Sequence, residues 1–138
     1  MMDWDMLRNW IDAGMTVGSH TKTHALLAKE TSGVTQEEVE GSRLKLEHQL
    51  GVPIKHFAYP DGSFDVDVLK TIASCGYSAA YTVCNHQNPD YPMLSIPRRM
   101  LWENTCMGIF GQFSSALFSC QVNGLFDHIS PCRRPHCA

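Results

Sequence analysis

The sequence alternates three times between an amphipathic helix pattern, a glycine and a short apolar strand, and this alternation most constrains the fold. Each predicted helix begins at a capping residue and ends near a glycine, as helices commonly do. Repeated succession of helix and strand predicts a parallel α/β sheet. The first unit has the cap Asp3, the glycine Gly14 and the strand MTVGS. The second has the capping box Thr35 and Glu38, the glycine Gly51 and the strand IKHFAY. The third has the cap Asp65, the glycine Gly76 and the strand SAAYTV.

Polar residues follow each of these predicted strands. The first strand leads into His20, the second into the turn YPDG at positions 59–62, and the third into Asn85 and His86. In parallel α/β folds the carboxyl ends of the strands gather at one mouth, where active sites lie. The sequence therefore predicts a functional site at that mouth.

The pair His20 and His24 favours a divalent metal site. A single turn of chain can bring imidazoles at positions i and i+4 onto one side. Two surface or capping histidines after a strand remain the alternative. A hydrolytic zinc site normally uses three protein ligands and a water, so a third ligand is expected from another strand end.

Length and charge restrict the function classes. The 138 residues suffice for one domain with a core, expected at 1–123 and followed by a poorly ordered tail at 124–138. The 11 Lys and Arg residues against 14 Asp and Glu give no basic face for nucleic acid. Charged residues between Asp3 and Asp12 interrupt any apolar run of a signal peptide, and the localisation stays open.

The uncharged segment 104–126 is too polar for a membrane span, and its apolar spacing predicts a buried amphipathic helix. The apolar residues at helical spacing are Cys106, Phe110, Phe113 and Leu117.

Most of the six cysteines are expected to be reduced core residues. The CRRPHC segment at 132–137 could form a metal knuckle, but it lacks a matching second half and is expected to be a loose tail.

Four segments, GMTVGSHTKTHALL, HFAYPDGSFD, GYSAAYTV and LSIPRRM, resemble successive blocks of the polysaccharide deacetylase family, also called NodB-homology domains or carbohydrate esterase family 4. The resemblance runs from Trp4 to about Leu117. SHTKTH is similar to the family's H-[ST]-x-x-H motif, which implies that His20 and His24 bind zinc or cobalt. FAYPDG resembles the catalytic turn of members acting on poly-N-acetylglucosamine-like polymers. Ala25 stands where the family usually has proline.

The resemblance implies a distorted (β/α) barrel whose ion is held by two histidines and one aspartate. A neighbouring aspartate is the general base, and both aspartates belong to a T-F-D-D block on the family's first strand. This sequence contains no such block. A full (β/α)8 barrel takes roughly 200 residues or more. We therefore expect a partial barrel that lacks its first strands.

The family implies metal-dependent hydrolysis of the acetamide of N-acetylated sugars in a polysaccharide. A backbone N–H in the turn, that of Asp61, would stabilise the oxyanion, while Tyr59 and Pro60 would shape the sugar groove. Tyr59 is also, with Asp61, a candidate catalytic residue. The Asp61 carboxylate is either a catalytic group at the mouth or a turn residue before glycine. Since LSIPRR lacks the family's late histidine, His56 and His86 are the nearest candidates for the general acid, although each also fits a plain strand or loop residue.

Three functions remain open at this point. The chain is a deacetylase that works only when its front part is supplied, a non-catalytic metal- or carbohydrate-binding remnant of such a domain, or a structural α/β domain with incidental histidines. The first two make an N-acetylated polysaccharide or oligosaccharide the expected partner. We expect the isolated chain to be inactive, and unpaired strand edges predict that it self-associates.

Overall fold

The structure is a computed structural model and describes residues 2–83 and 87–126. The three predicted helices and the second and third predicted strands are present. The α-helices are α1 (Trp4–Asp12), α2 (Ser32–Leu50), α3 (Val66–Ser74) and α4 (Ser115–Val122), and the strands are β1 (His56–Ala58), β2 (Ala79–Thr82) and β3 (Ile96–Pro97).

The strands form one parallel sheet in the order β1-β2-β3, which confirms the predicted parallel α/β fold. The first predicted strand, MTVGS, is wrong as a strand, because within the described residues it contributes a single parallel bridge between Ser19 and Phe57. The Ser19 amide donates to the carbonyl of His56, and the Ala58 amide donates to the carbonyl of Ser19, both at 2.8 Å. This bridge places the residue after Ser19 beside the end of β1.

Aspartate caps begin two helices where the sequence predicts them. The Asp3 carboxylate accepts from the Met6 amide at 2.8 Å, and the Asp65 carboxylate accepts from the Val68 amide at 2.8 Å. Each bond satisfies an amide that has no partner inside its own helix. The caps of α1 and α3 are therefore confirmed.

The predicted capping box of α2 is wrong. The helix begins one turn earlier, at Ser32, and Thr35 lies buried inside it. The Thr35 hydroxyl points to the Leu27 carbonyl at 3.5 Å, and the Glu38 carboxylate bonds to the loop that precedes the helix. Contacts distant in sequence thus take both side chains away from capping roles.

The core joins α2, α3 and the sheet. Val39 of α2 and Leu69 and Ile72 of α3 are fully buried, as are the aromatic rings of Phe57 and Tyr59. Full burial of one such apolar side chain contributes about 1.5–3 kcal/mol. This packed layer is the base from which the loops at the sheet's carboxyl edge project.

The predicted buried helix at 104–126 is wrong. A short 3₁₀ turn at Glu103–Cys106 and an antiparallel bridge between Met107 and Phe113 precede the shorter α4. Phe110 is 84% exposed. Gly108 and Gly111 interrupt the helical spacing, since glycine weakens a helix and Gly111 adopts φ +74°.

The remaining expectations concern cysteines, the tail and membranes. Cys75 and Cys106 are buried free thiols, as predicted, whereas Cys120 is only half-buried. Asn85, His86 and the segment 127–138, with its CRRPHC run, lie outside the described residues, so the tail and the knuckle stay predictions. Among the helices of 2–83 and 87–126, none has the length and apolar character that crossing a membrane requires.

Candidate functional site

His20 follows directly on the Ser19 bridge, at the carboxyl edge of the sheet. Its Nδ1 atom lies 2.6 Å from the carbonyl oxygen of Ala58, the last residue of β1. Because a carbonyl oxygen can only accept, Nδ1 carries the proton of this bond. The Nε2 atom of the neutral ring then has its lone pair available, which is how histidines that bind metals are commonly oriented.

His24 lies against His20. The centroids of the two imidazole rings are 4.8 Å apart, and their planes meet at 77°. Both residues are exposed to solvent. The structure therefore brings together the pair that the sequence singles out.

A zinc or cobalt ion fits this pair as part of its ligand set. Neutral imidazole nitrogens suit both ions, and the His20 ring already has the carbonyl partner that orients such ligands. Within residues 2–83 and 87–126, however, no group of three or more His, Cys, Asp or Glu side chains could hold an ion. The described residues thus bring together two histidines, whereas a catalytic zinc normally has three protein ligands.

The loop between the histidines has an unusual backbone. Thr21 adopts φ +65° and His24 adopts φ +64°, both in the left-handed region that favours glycine. Such residues cost about 1–3 kcal/mol each and persist only where surrounding contacts fix them. The Thr21 hydroxyl oxygen is also buried without a hydrogen-bond partner among the described residues. This loop is therefore held in place by the structure around it.

Glu38 of α2 provides such contacts. Its Oε2 accepts from the backbone amides of Lys22 and Thr23 at 2.8 and 2.9 Å, and its Oε1 accepts from the Thr23 hydroxyl at 2.9 Å. Burial acts to raise the pKa of Glu38, but the hydrogen bonds from Thr23 and Lys22 outweigh it and lower the pKa below its ordinary value. The carboxylate is thus charged at neutral pH. Sequence reasoning missed this role because the partners are 15 and 16 residues away.

The turn YPDG begins with a residue that faces the core. Tyr59 has 0% exposure, and its hydroxyl donates to the Leu94 carbonyl at 2.7 Å. Burial raises the pKa of Tyr59 far above its ordinary value, so the phenol stays protonated. A side chain that has no solvent-accessible surface cannot contact a sugar in this conformation. The structure therefore does not support the catalytic and groove-shaping roles predicted for Tyr59, and it places this side chain beneath the turn.

The rest of the turn is compact. Pro60 and Gly62 are buried, whereas Asp61 is exposed and adopts φ 53°. The Gly62 amide donates to the Tyr59 carbonyl at 2.9 Å, and the Thr82 hydroxyl donates to the Gly62 carbonyl at 2.8 Å. Asp61 is thus the member of this turn that solvent reaches. Its predicted catalytic role, and the groove contact predicted for Pro60, stay predictions.

The histidine pair and the YPDG turn are linked by the hydrogen bond between His20 and Ala58. His20 is bonded to Ala58, and Ala58 is followed directly by Tyr59 and the turn. A cavity of about 360 Å³ adjoins the histidine loop. It is lined by Trp4 of α1, by Gly18, His20, Thr21, Lys22 and Thr23, and by Ser42, Lys45 and Leu46 of α2.

His56 lies away from this mouth. It is the first residue of β1, whereas the histidine loop meets the last. Its Nδ1 atom is 2.9 Å from the Tyr81 hydroxyl, and the two rings stack with centroids 5.9 Å apart. The geometry is that of a strand residue paired across the sheet. The other candidate acid, His86, lies outside the described residues.

Comparison with known proteins points to one family. The family model described as polysaccharide deacetylase matches residues 1–80. A comparison with curated proteins gives no significant match.

Solved structures share the fold. The Streptococcus pyogenes deacetylase PplD, in complex with acetate, is 23% identical with a TM-score of 0.69, over 75% of this chain and 46% of that one. BC0361, a polysaccharide deacetylase from Bacillus cereus, is 27% identical with a TM-score of 0.69, over 88% and 36%. IcaB from Ammonifex degensii is 20% identical with a TM-score of 0.61, over 76% and 50%. The chain thus spans half or less of each structure and matches a fragment of their fold.

Proposed function

Because the chain belongs to the polysaccharide deacetylase family, we propose that it contributes to hydrolysis of the acetamide groups of N-acetylated sugars in a polysaccharide. The observation that carries the proposal is the imidazole pair of His20 and His24 at the end of the sheet, bonded to the strand that leads into the YPDG turn. The similarity of FAYPDG to the family's catalytic turn favours a poly-N-acetylglucosamine-like polymer as substrate.

His20 and His24 would hold a divalent ion, zinc or cobalt. Such an ion, when bound, supplies Lewis acidity that polarises the amide carbonyl and acidifies water. The histidines contribute orientation, since the Ala58 carbonyl fixes the ring of His20. The exposed Asp61 lies in the turn that follows the same strand, where its backbone N–H is our candidate for stabilising the oxyanion.

A third ligand and a general base are the parts that this sequence does not offer by motif. The 138 residues contain no T-F-D-D segment. General-base catalysis contributes about 10²–10⁴-fold to the rate of such reactions. We therefore expect the 138-residue chain alone to release no measurable acetate, and we expect activity when a T-F-D-D strand is supplied.

Complementation tests this proposal. The chain is co-expressed with an N-terminal segment of a related deacetylase that carries the T-F-D-D strand, and acetate release from chito-oligosaccharide is measured. Activity should require both aspartates of the added strand and both His20 and His24. His48→Ala is the matched control, because His48 is an exposed histidine in the last turn of α2.

One result would contradict the need for an added strand, and another would contradict the catalytic function. Activity of the unaided chain that His20→Ala abolishes would mean that the third ligand and base lie within this sequence, and Asp61→Asn would then test the exposed carboxylate. Zinc binding without activity in any complemented complex would favour the second candidate, a non-catalytic metal- or carbohydrate-binding domain. The incomplete ligand set of the described residues is the observation that favours that candidate.

A further inference from the structure

We propose that Glu38 is a positioning residue of the metal site, whose carboxylate fixes the loop between His20 and His24 so that both imidazoles face one ion. The inference rests on the proposed function, since it takes these histidines to be metal ligands. Glu38 acts on the rings through Lys22 and Thr23, from which its carboxylate accepts hydrogen bonds.

The hydrogen bonds are suited to this task. One carboxylate receives two backbone amides and one hydroxyl from consecutive residues, Lys22 and Thr23, at 2.8–2.9 Å. Bonds to an ionised acceptor are about twice as strong as bonds between neutral groups. Because two of the donors are main-chain amides, the bonds fix the path of the backbone as well as a side chain.

The loop needs such fixing. The two clamped residues lie between Thr21 and His24, which both have positive φ. A β-branched residue such as threonine rarely adopts this conformation, so released chain would move towards ordinary φ values. Rotation about the His24 backbone would carry its imidazole away from that of His20, which the Ala58 carbonyl holds independently.

The packing of α2 against the core holds Glu38 in a fixed position. Val39, the next residue, has 0% exposure and belongs to the core that joins α2 and α3. Glu38 itself is 8% exposed, whereas its neighbour Glu37 is exposed and only pairs with the Lys22 ammonium at 2.8 Å. The two adjacent glutamates thus reach the same loop in different ways, and only Glu38 bonds its backbone.

Zinc titration followed by NMR tests the inference. Zinc chloride is added to the wild-type chain, and the imidazole signals of His20 and His24 are recorded; hydrogen exchange of the Lys22 and Thr23 amides is measured without zinc. Glu38→Ala should weaken zinc affinity by about 10–100-fold and speed exchange at both amides. Glu38→Gln should stay much closer to wild type, since its amide oxygen can still accept from both backbone donors.

Two controls separate positioning from general stability. Val39→Ala removes core packing from the same helix and should lower Tm without changing zinc affinity. Glu37→Ala removes the ion pair with Lys22 and should also leave the affinity unchanged. If Glu38→Ala does not fold, Thr23→Val decides, because it removes only the Oε1 bond and should weaken zinc binding measurably.

The outcomes are distinguishable. If Glu38→Ala binds zinc as the wild type does, the inference is overturned. It is also overturned if Val39→Ala weakens zinc binding as much as Glu38→Ala does. In both cases the histidine pair still stands as the metal site. Unaltered binding by Thr23→Val overturns it where Glu38→Ala is unfolded. Absence of zinc binding by the wild-type chain instead overturns the metal site of the proposed function, and the inference with it.

Discussion

Exposure separates residues that can meet a substrate from residues that shape the site. Asp61 and Tyr59 are two positions apart in one turn, yet Asp61 is exposed and Tyr59 has no accessible surface. The phenol is used within the fold, because it donates to the carbonyl of Leu94. We therefore interpret Tyr59 as an anchor that ties the turn to the segment before β3.

Tyr59→Phe is predicted to lower the free energy of unfolding by about 1 kcal/mol at pH 7, because the buried Leu94 carbonyl loses its donor. The raised pKa of Tyr59 adds a dependence on pH. The buried phenol stabilises the fold fully while the pH is below about 10, the pKa of tyrosine in the unfolded chain. As the pH rises through this value, the contribution of the phenol to the free energy of unfolding falls, by about 1.4 kcal/mol between pH 9 and 11. Urea unfolding of both proteins at pH 7, 9 and 11 measures these differences.

Parallel stability curves for the two proteins above pH 9 would mean that the phenol ionises in the folded state and is accessible. In the complemented complex, Tyr59→Phe should also keep its acetate release. Loss of activity at unchanged stability would restore the catalytic role that the sequence predicts for this tyrosine.

The sequence predicts the histidine pair because its spacing and its place after a strand are local features. The roles of Glu38 and Tyr59 depend on partners 15 to 35 residues away, which no local pattern records. The same contrast explains why Glu38 fits a capping box in the sequence but bonds the histidine loop in the structure. Local chemistry therefore locates the site, whereas its supports emerge only from the folded chain.

Among the elements, α1 and α3 begin where the sequence predicts because each has an aspartate cap next to an amphipathic run. The predicted helix at 104–126 fails because apolar spacing alone ignores Gly108 and Gly111. The strand β3 has only two residues, Ile96 and Pro97, and no periodicity can identify so short an element. Elements are thus predictable where capping and periodicity agree.

The YPDG turn depends on its glycine. Gly62 adopts φ +67°, and an added Cβ would collide with the Val83 side chain and lie 2.6 Å from the Val83 amide nitrogen. Gly62→Ala should therefore lower the free energy of unfolding by about 2–5 kcal/mol, the sum of left-handed strain and overpacking. Chemical denaturation monitored by circular dichroism measures the loss.

Gly14→Ala is the matched control for this turn. Gly14 also has positive φ, at +85°, but nothing lies within 4 Å of an added Cβ. Its substitution should cost only the backbone strain, about 1–2 kcal/mol. Equal losses for the two variants would show that the turn yields to the added methyl group and that the contact with Val83 is not restrictive.

At the scale of the whole molecule, the described residues form a fragment of the fold of the solved deacetylase structures. A sheet of three short parallel strands, joined by the Ser19 bridge, has backbone edges that a closed barrel would pair. Apolar side chains are also exposed after β3. Those of 100–125 that are at least 39% exposed are Met100, Leu101, Trp102, Ile109, Phe110, Phe113, Phe118, Val122 and Leu125.

Exposed apolar surface of this extent is typical of interaction sites or of aggregation. Ile109 is 92% exposed, which is the highest value among these side chains. Neither it nor Phe110 belongs to the main core cluster, so both can be made polar without opening the core. Their substitution therefore separates the contribution of this surface from that of the strand edges.

We predict that the isolated chain self-associates, with a mass that rises with concentration in light scattering. A double variant, Ile109→Ser with Phe110→Ser, should lower that mass, because it removes the two most exposed apolar side chains that the structure describes after β3. Leu44→Ser is the matched control, since Leu44 is 51% exposed on α2 and should not matter. If the double variant associates as the wild type does, these two side chains do not drive the association. A monodisperse wild-type monomer with a sharp thermal transition would refute self-association and show that this part of the barrel closes its own core.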